Sequence, residues 1–190
     1  MAFDIALIVV GAIALLALVF VGWLVLTFNG FIQGRNRIQE AWSQIEVQMK
    51  RRFDLVPNLM ETVKGYARYE KSTFEMVTKA RAAMANAKGV KESAQAENML
   101  TGALKSLFAV AEAYPDLKAN QNFLMLQEEL SGIESKIAFA RQFFNGEVLK
   151  YNTLRESFPS NFIAGMFNFE RKEFFDAEEE AEKPVKVSFE

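Results

Sequence analysis

The sequence predicts an all-α protein: an N-terminal transmembrane helix followed by an elongated antiparallel bundle of long helices. Three observations carry that prediction. The first thirty residues hold almost no charge, apolar residues then recur at spacings of three and four over long stretches, and nothing before the C-terminal tail alternates with the period of two that a strand needs. At 190 residues, 51% of them apolar and with a net charge of −2, the chain has room for one span and one domain of ordinary size.

From Ile5 to Phe28 every side chain is apolar or small except Thr27. That run makes roughly 35 Å of helix, enough to cross a hydrocarbon core of about 30 Å with some tilt. A cleaved signal peptide needs a basic n-region, a shorter apolar stretch and a small-x-small site, whereas this chain opens Met-Ala-Phe-Asp and leaves the run at Leu26-Thr27-Phe28-Asn29. The run therefore reads as a retained anchor behind a tail of residues 1–4. No Lys or Arg precedes it, while Arg35 and Arg37 follow closely, so the positive-inside rule puts the short N-terminus outside and the domain in the cytoplasm.

Asn29-Gly30 and Gly34 punctuate the exit over residues 29–37, either as a short joint or as a weak stretch of continuing helix. The bundle is expected over 38–158. Ile38, Trp42, Ile45, Met49, Phe53, Val56, Met60, Val63 and Ala67 form its first stripe. Pro57 falls inside it and reads as a kink, or as a restart capped by Asp54. Ser72 with Glu75 matches a capping box for a second helix ending near Lys88-Gly89. A third runs from about Glu92 to Ala113 with Met99, Ala103, Leu107 and Val110 on its apolar side, closed by Tyr114-Pro115-Asp116. The longest stripe, from Phe123 through Leu130, Ile137, Phe144 and Tyr151 to Phe158, predicts a helix of about 40 residues that must lie against other long helices. Residues 159–190 form an aromatic-rich and then acidic tail. Its phenylalanines dock on the bundle, enter a membrane surface or form a partner site; docking is the ordinary solution, because large exposed apolar patches are uncommon on monomers.

Chemistry is scarce. Without His and Cys the chain lacks the usual neutral-pH acid/base, the commonest metal ligand and a thiol nucleophile. A di-iron bundle built on Glu-x-x-His is excluded, and neither GxxxxGK[ST] nor GxGxxG occurs. The carboxylates Glu128-Glu129 and Glu178 to Glu180 sit where a solvated surface would hold them. The adjacent pairs Ser135-Lys136 and Lys105-Ser106 point about 100° apart on a helix, so neither forms a dyad. The balanced charge and lack of basic-aromatic motifs argue against nucleic acid. No catalytic, cofactor-binding or metal-ligating residue is expected. The candidate partner or lipid surface comprises Lys50, Arg51, Arg52, Phe162, Phe167, Phe174 and Phe175, and Arg35 and Arg37 are the juxtamembrane basic residues.

Two stretches resemble the bacterial LemA family: NRIQEAWSQIEVQMKRRFDLVPNLMETVKGYARYEKSTFEMVTKAR from Asn36 to Arg81, and the segment beginning YPDLKANQNFLMLQEELSGIESKIAFARQFFNGEVLKYNTL from Tyr114 to Phe167. Together with the anchor, the resemblance spans nearly the whole chain. It implies a helical bundle on an anchor in the bacterial cytoplasmic membrane, without an established catalytic activity. The family includes a magnetosome-associated protein and often neighbours a membrane zinc metalloprotease of the HtpX type. Tyr69 stands where the family often has His before the glutamate at Glu70, and Phe144 where Tyr is common. The expected function is a non-enzymatic membrane-anchored scaffold or adaptor, an accessory or regulator of a membrane protease on the family association, with other membrane proteins or further copies of itself as partners. A membrane-shaping or lipid-organising protein is the alternative, and an unconventional hydrolase the remote one.

Overall fold

The computed structural model describes residues 2–175. Within them lie α1 (Ala2–Lys64), α2 (Lys71–Asn86), α3 (Gly89–Glu112), the single turn α4 (Pro115–Lys118), α5 (Gln121–Glu156) and α6 (Ser160–Met166), and the described residues contain no strand. The chain divides into two compact units. One joins Met1–Glu40 with Gly146–Lys172, the other Ala41–Asn145 with Glu173–Glu190. Helices α1 and α5 each run through both.

The expected all-α bundle is present, with instructive departures. Of the two readings of residues 29–37 the continuing helix holds, since α1 runs through Asn29, Gly30 and Gly34. The small residues serve close approach instead. Gly30 faces Leu154, and a Cβ built on Gly34 would stand 3.0 Å from the Tyr151 ring, so α5 lies against α1 at glycine positions. Pro57 likewise stays inside the helix without ending it. The capping box is absent: α2 begins one residue before Ser72, its N-cap is Glu70, and no side chain caps it. The Glu70 carboxylate instead accepts from the Tyr114 hydroxyl at 3.3 Å. Helix α2 ends at Asn86, short of Lys88-Gly89, and Gly89 opens α3 at φ +74°, where a Cβ would be strained.

In the second unit the core joins Val56, Leu59 and Val63 of α1 to Phe74 and Val77 of α2, Leu100, Leu104 and Leu107 of α3, Leu117 of α4, and Phe123 and Leu130 of α5. The α3 stripe is rotated from expectation. Met99 is exposed and Val110 only half-buried, while Ala96, Leu100, Ala103, Leu104, Leu107 and Ala111 face inward. Two registers offset by one residue are both apolar here, and only neighbouring helices choose between them. On α5 the predicted stripe is buried or half-buried from Phe123 to Leu154, but Phe158 lies past the helix end and is exposed.

In the first unit Phe31 is fully buried, stacked on Phe169 at 4.5 Å and edge-on to Tyr151 at 5.8 Å. The aromatic tail thus docks in part, through Ile163, Ala164 and Phe169. The acidic part of the tail, residues 176–190, lies outside the described residues. Tyr151 is buried with no partner for its hydroxyl, and burial pushes its phenol above the ordinary value of 10.0.

Gly132, on α5 in the second unit, has open space where a Cβ would go, whereas Gly34 does not. Gly132→Ala is expected to raise unfolding free energy by about 1 kcal/mol through helix propensity. Gly34→Ala should lose that gain against Tyr151, and Gly34→Leu should lower stability by about 1–3 kcal/mol through overpacking. Denaturant unfolding in detergent measures all three; equal gains for both alanine variants would refute the close approach.

Candidate functional site

Three features stand out: an exposed apolar helix, a pair of asparagine clasps and a buried ion pair. From Phe3 to Leu26 the large apolar side chains of α1, Ile8, Leu16, Leu18 and Phe20 among them, are exposed all round, apart from the half-buried Trp23 and Leu24. By length and composition this segment can cross a membrane. A helix apolar on every face has no aqueous surface to offer, which is why the run begins without a stripe.

The clasps hold the chain after α6. In the first unit the Asn152 side-chain amide donates to Lys172 O at 2.9 Å, and Lys172 N donates to Asn152 Oδ1 at 2.9 Å. Arg155 Nε donates to Phe169 O at 2.9 Å. In the second unit Asn145 makes the same two bonds with Phe175, at 3.0 and 2.8 Å. One amide side chain satisfies both backbone groups of a single residue, which a segment outside helix and sheet otherwise leaves open.

The ion pair joins Arg52 of α1 to Glu97 of α3, both almost wholly buried, with Arg52 also donating to Thr101 Oγ1 at 2.9 Å. Glu97 Oε2 and Arg52 Nε are buried without a hydrogen-bond partner. Burial pushes the Glu97 carboxyl above its ordinary value of 4.5, opposed by Arg52 and more weakly by Arg141. A cleft of about 190 Å³ beside the pair is lined by Arg52, Thr101, Lys105, Ser131 and Glu134, among others.

The predicted partner surface is divided by the fold. Lys50 is exposed and pairs with Asp54 at 3.3 Å, Arg51 is exposed, and Arg52 is turned inward, because its position continues the buried stripe between Met49 and Val56. Arg52 therefore belongs to the bundle interior and not to a surface. Phe162 and Phe167 are exposed and Phe174 is half-buried. Phe175 is fully buried beside Trp42, its ring under the Arg141 guanidinium at 4.6 Å, and it too leaves the candidate surface. Arg35 and Arg37 are exposed. The Ser135 and Ser106 hydroxyls donate to backbone carbonyls of the preceding turn. Among the described residues no group of three or more acidic side chains is placed to hold a metal ion.

Sequence reasoning passed over Glu97, Thr101, Asn145 and Asn152. A signal for the ion pair existed: Arg52 lies between Met49 and Val56 on the first stripe, and Glu97 lies one turn before Leu100, so each helix carries one charge on an apolar face. The asparagines carried none, since their partner is backbone.

The sequence pattern of the LemA family matches residues 41–189. The chain belongs to the LemA family. Protein LemA of Metamycoplasma hominis is 28% identical over 156 residues, covering 80% of this chain and 69% of the relative. Magnetosome protein MamQ of Magnetospirillum gryphiswaldense is 25% identical over a 201-residue alignment, covering 92% of this chain and 74% of the relative. Magnetosome protein MamQ 2 of Paramagnetospirillum magneticum is 24% identical, covering 95% and 75%. Tyr69 is exposed in the turn between α1 and α2, and Phe144 is buried beside Trp42 at 5.7 Å.

Removing one partner of the buried pair leaves a stranded charge. Arg52→Met is expected to cost about 3–5 kcal/mol near neutral pH, and adding Glu97→Leu should recover most of it. A carboxyl whose folded value lies above its unfolded 4.5 contributes stability that is complete below that pH and lost as pH rises through the folded value. The Arg52→Met deficit should therefore be smallest in acid and grow toward neutrality. Urea unfolding on both sides of that window tests this; a deficit independent of pH would contradict it.

Proposed function

We propose that the chain is a non-enzymatic, membrane-anchored scaffold or adaptor, with its bundle on the cytoplasmic side of the bacterial inner membrane. The observation that carries this reading is the division of labour along α1. One end is apolar and exposed on all faces, and the other, from Ala41 to Val63, contributes buried residues to a packed helical core. One helix thus serves as both anchor and bundle element. The family's magnetosome proteins are named for a structure and not for a reaction, which accords with an organising role.

The narrower reading makes the chain an accessory of a membrane metalloprotease, supported by the family association alone. Partners of this kind, or further copies of the chain, would be held close by a shared membrane, where tethering raises effective concentration without demanding a large interface.

Cross-linking in native membranes followed by affinity purification in mild detergent tests the scaffold. The full chain is expected to emerge with stoichiometric membrane-protein partners or as a defined oligomer; a monomer without companions would overturn the reading. A membrane metalloprotease among the partners would support the accessory role, and a partner set lacking one would remove it.

A further inference from the structure

We infer that the aromatic turn formed by Phe158, Phe162, Met166 and Phe167 is a second membrane contact, a wedge seated among the lipids beside the emerging anchor. The inference rests on the anchoring reading above. All the interactions that support it lie within the first unit.

Phe158, Phe162 and Met166 are spaced by four residues and are 80%, 64% and 73% exposed; Phe167, next to Met166, is 52% exposed. The opposite side of the same segment is spent on packing, with Ile163 and Ala164 buried and the Ser160 hydroxyl bonded to the Leu154 carbonyl. This is a helix with one apolar face inward and another apolar face outward, and water covers the outward one poorly.

What covers it follows from its level along α1. Tyr151 approaches Gly34 and Leu154 approaches Gly30, so each step up α5 descends α1 toward its N-terminus. Continuing that progression to the helix end at Glu156 reaches about residue 28, the end of the apolar run, and Phe158 lies just past it in the turn before α6. Independently, the Phe167 ring meets Phe28, the last residue of the run, at 4.9 Å, and Phe169 meets it at 5.6 Å. Leu26 is itself 74% exposed at this level. The apolar run exceeds the hydrocarbon thickness by about one turn, so its last turn emerges at the interface, and the aromatic turn lies there with it. Cations follow on the aqueous side: Arg35 and Arg37 are exposed along α1, and Arg171 pairs with Glu156 at 3.4 Å while its side chain stays mostly exposed. Apolar side chains at the acyl boundary with basic groups beyond them fit a phospholipid surface carrying anionic headgroups.

The chain has no cysteine, so single labels can be placed at will. The full chain would be reconstituted in phosphatidylcholine–phosphatidylglycerol vesicles with a nitrobenzoxadiazole label at Phe158→Cys, Phe162→Cys or Met166→Cys. Leu26→Cys reports the anchor, and Glu40→Cys, exposed on α1 in the first unit about 18 Å of helix beyond Phe28, reports water. The three wedge positions are exposed, so replacement leaves the core intact. With a nitroxide on the upper acyl chain, the labels at 158, 162 and 166 are expected to show blue-shifted emission and to lose most of it to the quencher, as at 26, while the label at 40 keeps its emission. Quenching at 26 with water-like labels at 158, 162 and 166 would overturn the wedge and leave the anchor standing. An unquenched label at 26 would overturn the anchor and the wedge together.

Discussion

The placement of apolar side chains along α1 is the constraint on which the rest depends. Over the first seven turns they cover every face; beyond Phe31 they narrow to a stripe, with Ile38, Ala41, Ile45, Met49 and Val56 buried and the residues beside them exposed or half-buried. A backbone with all its hydrogen bonds satisfied internally can cross a bilayer, and the same backbone with one apolar face can enter a bundle core. No break is needed where the two regimes meet, so the glycines at 30 and 34 are free to act as docking points for α5.

Within the second unit, the Arg52–Glu97 pair shows how a helical core tolerates charge. Two desolvated ions of opposite sign add little net stability over an apolar replacement, yet either one alone is costly, so the pair makes α1 and α3 depend on one another in a way that Leu-to-Leu contacts do not. Thr101 takes one further donor, and for Glu97 burial outweighs Arg52 in setting the direction of its titration. The asparagine clasps solve a different problem. The segment after α6 has neither helix nor sheet to satisfy its backbone, and Asn152 and Asn145 supply a donor and an acceptor at the two residues they hold.

Much of this was legible in advance. The anchor, the long stripes of α1 and α5, the turn at Tyr114-Pro115 and the family followed from periodicity, punctuation and long motifs, all of which are local. Errors fell where two local readings were equally good. Helix α3 is rich in Ala and Leu in adjacent registers, so Met99 and Leu100 were interchangeable on paper. Ser72 and Glu75 matched a capping pattern, but helix α2 begins at Lys71 and leaves both inside it.

The sequence by itself determined that this protein is helical, that its N-terminus is apolar enough to cross a membrane, and that it offers neither histidine nor cysteine, because composition and period act residue by residue. Only the tertiary structure decided which of Lys50, Arg51 and Arg52 turns inward, which phenylalanines of the C-terminal segment are buried and which face outward, and where two asparagines spend their amides. Those outcomes depend on what lies across the gap from each side chain, and no stretch of chain carries a record of its neighbour on another helix.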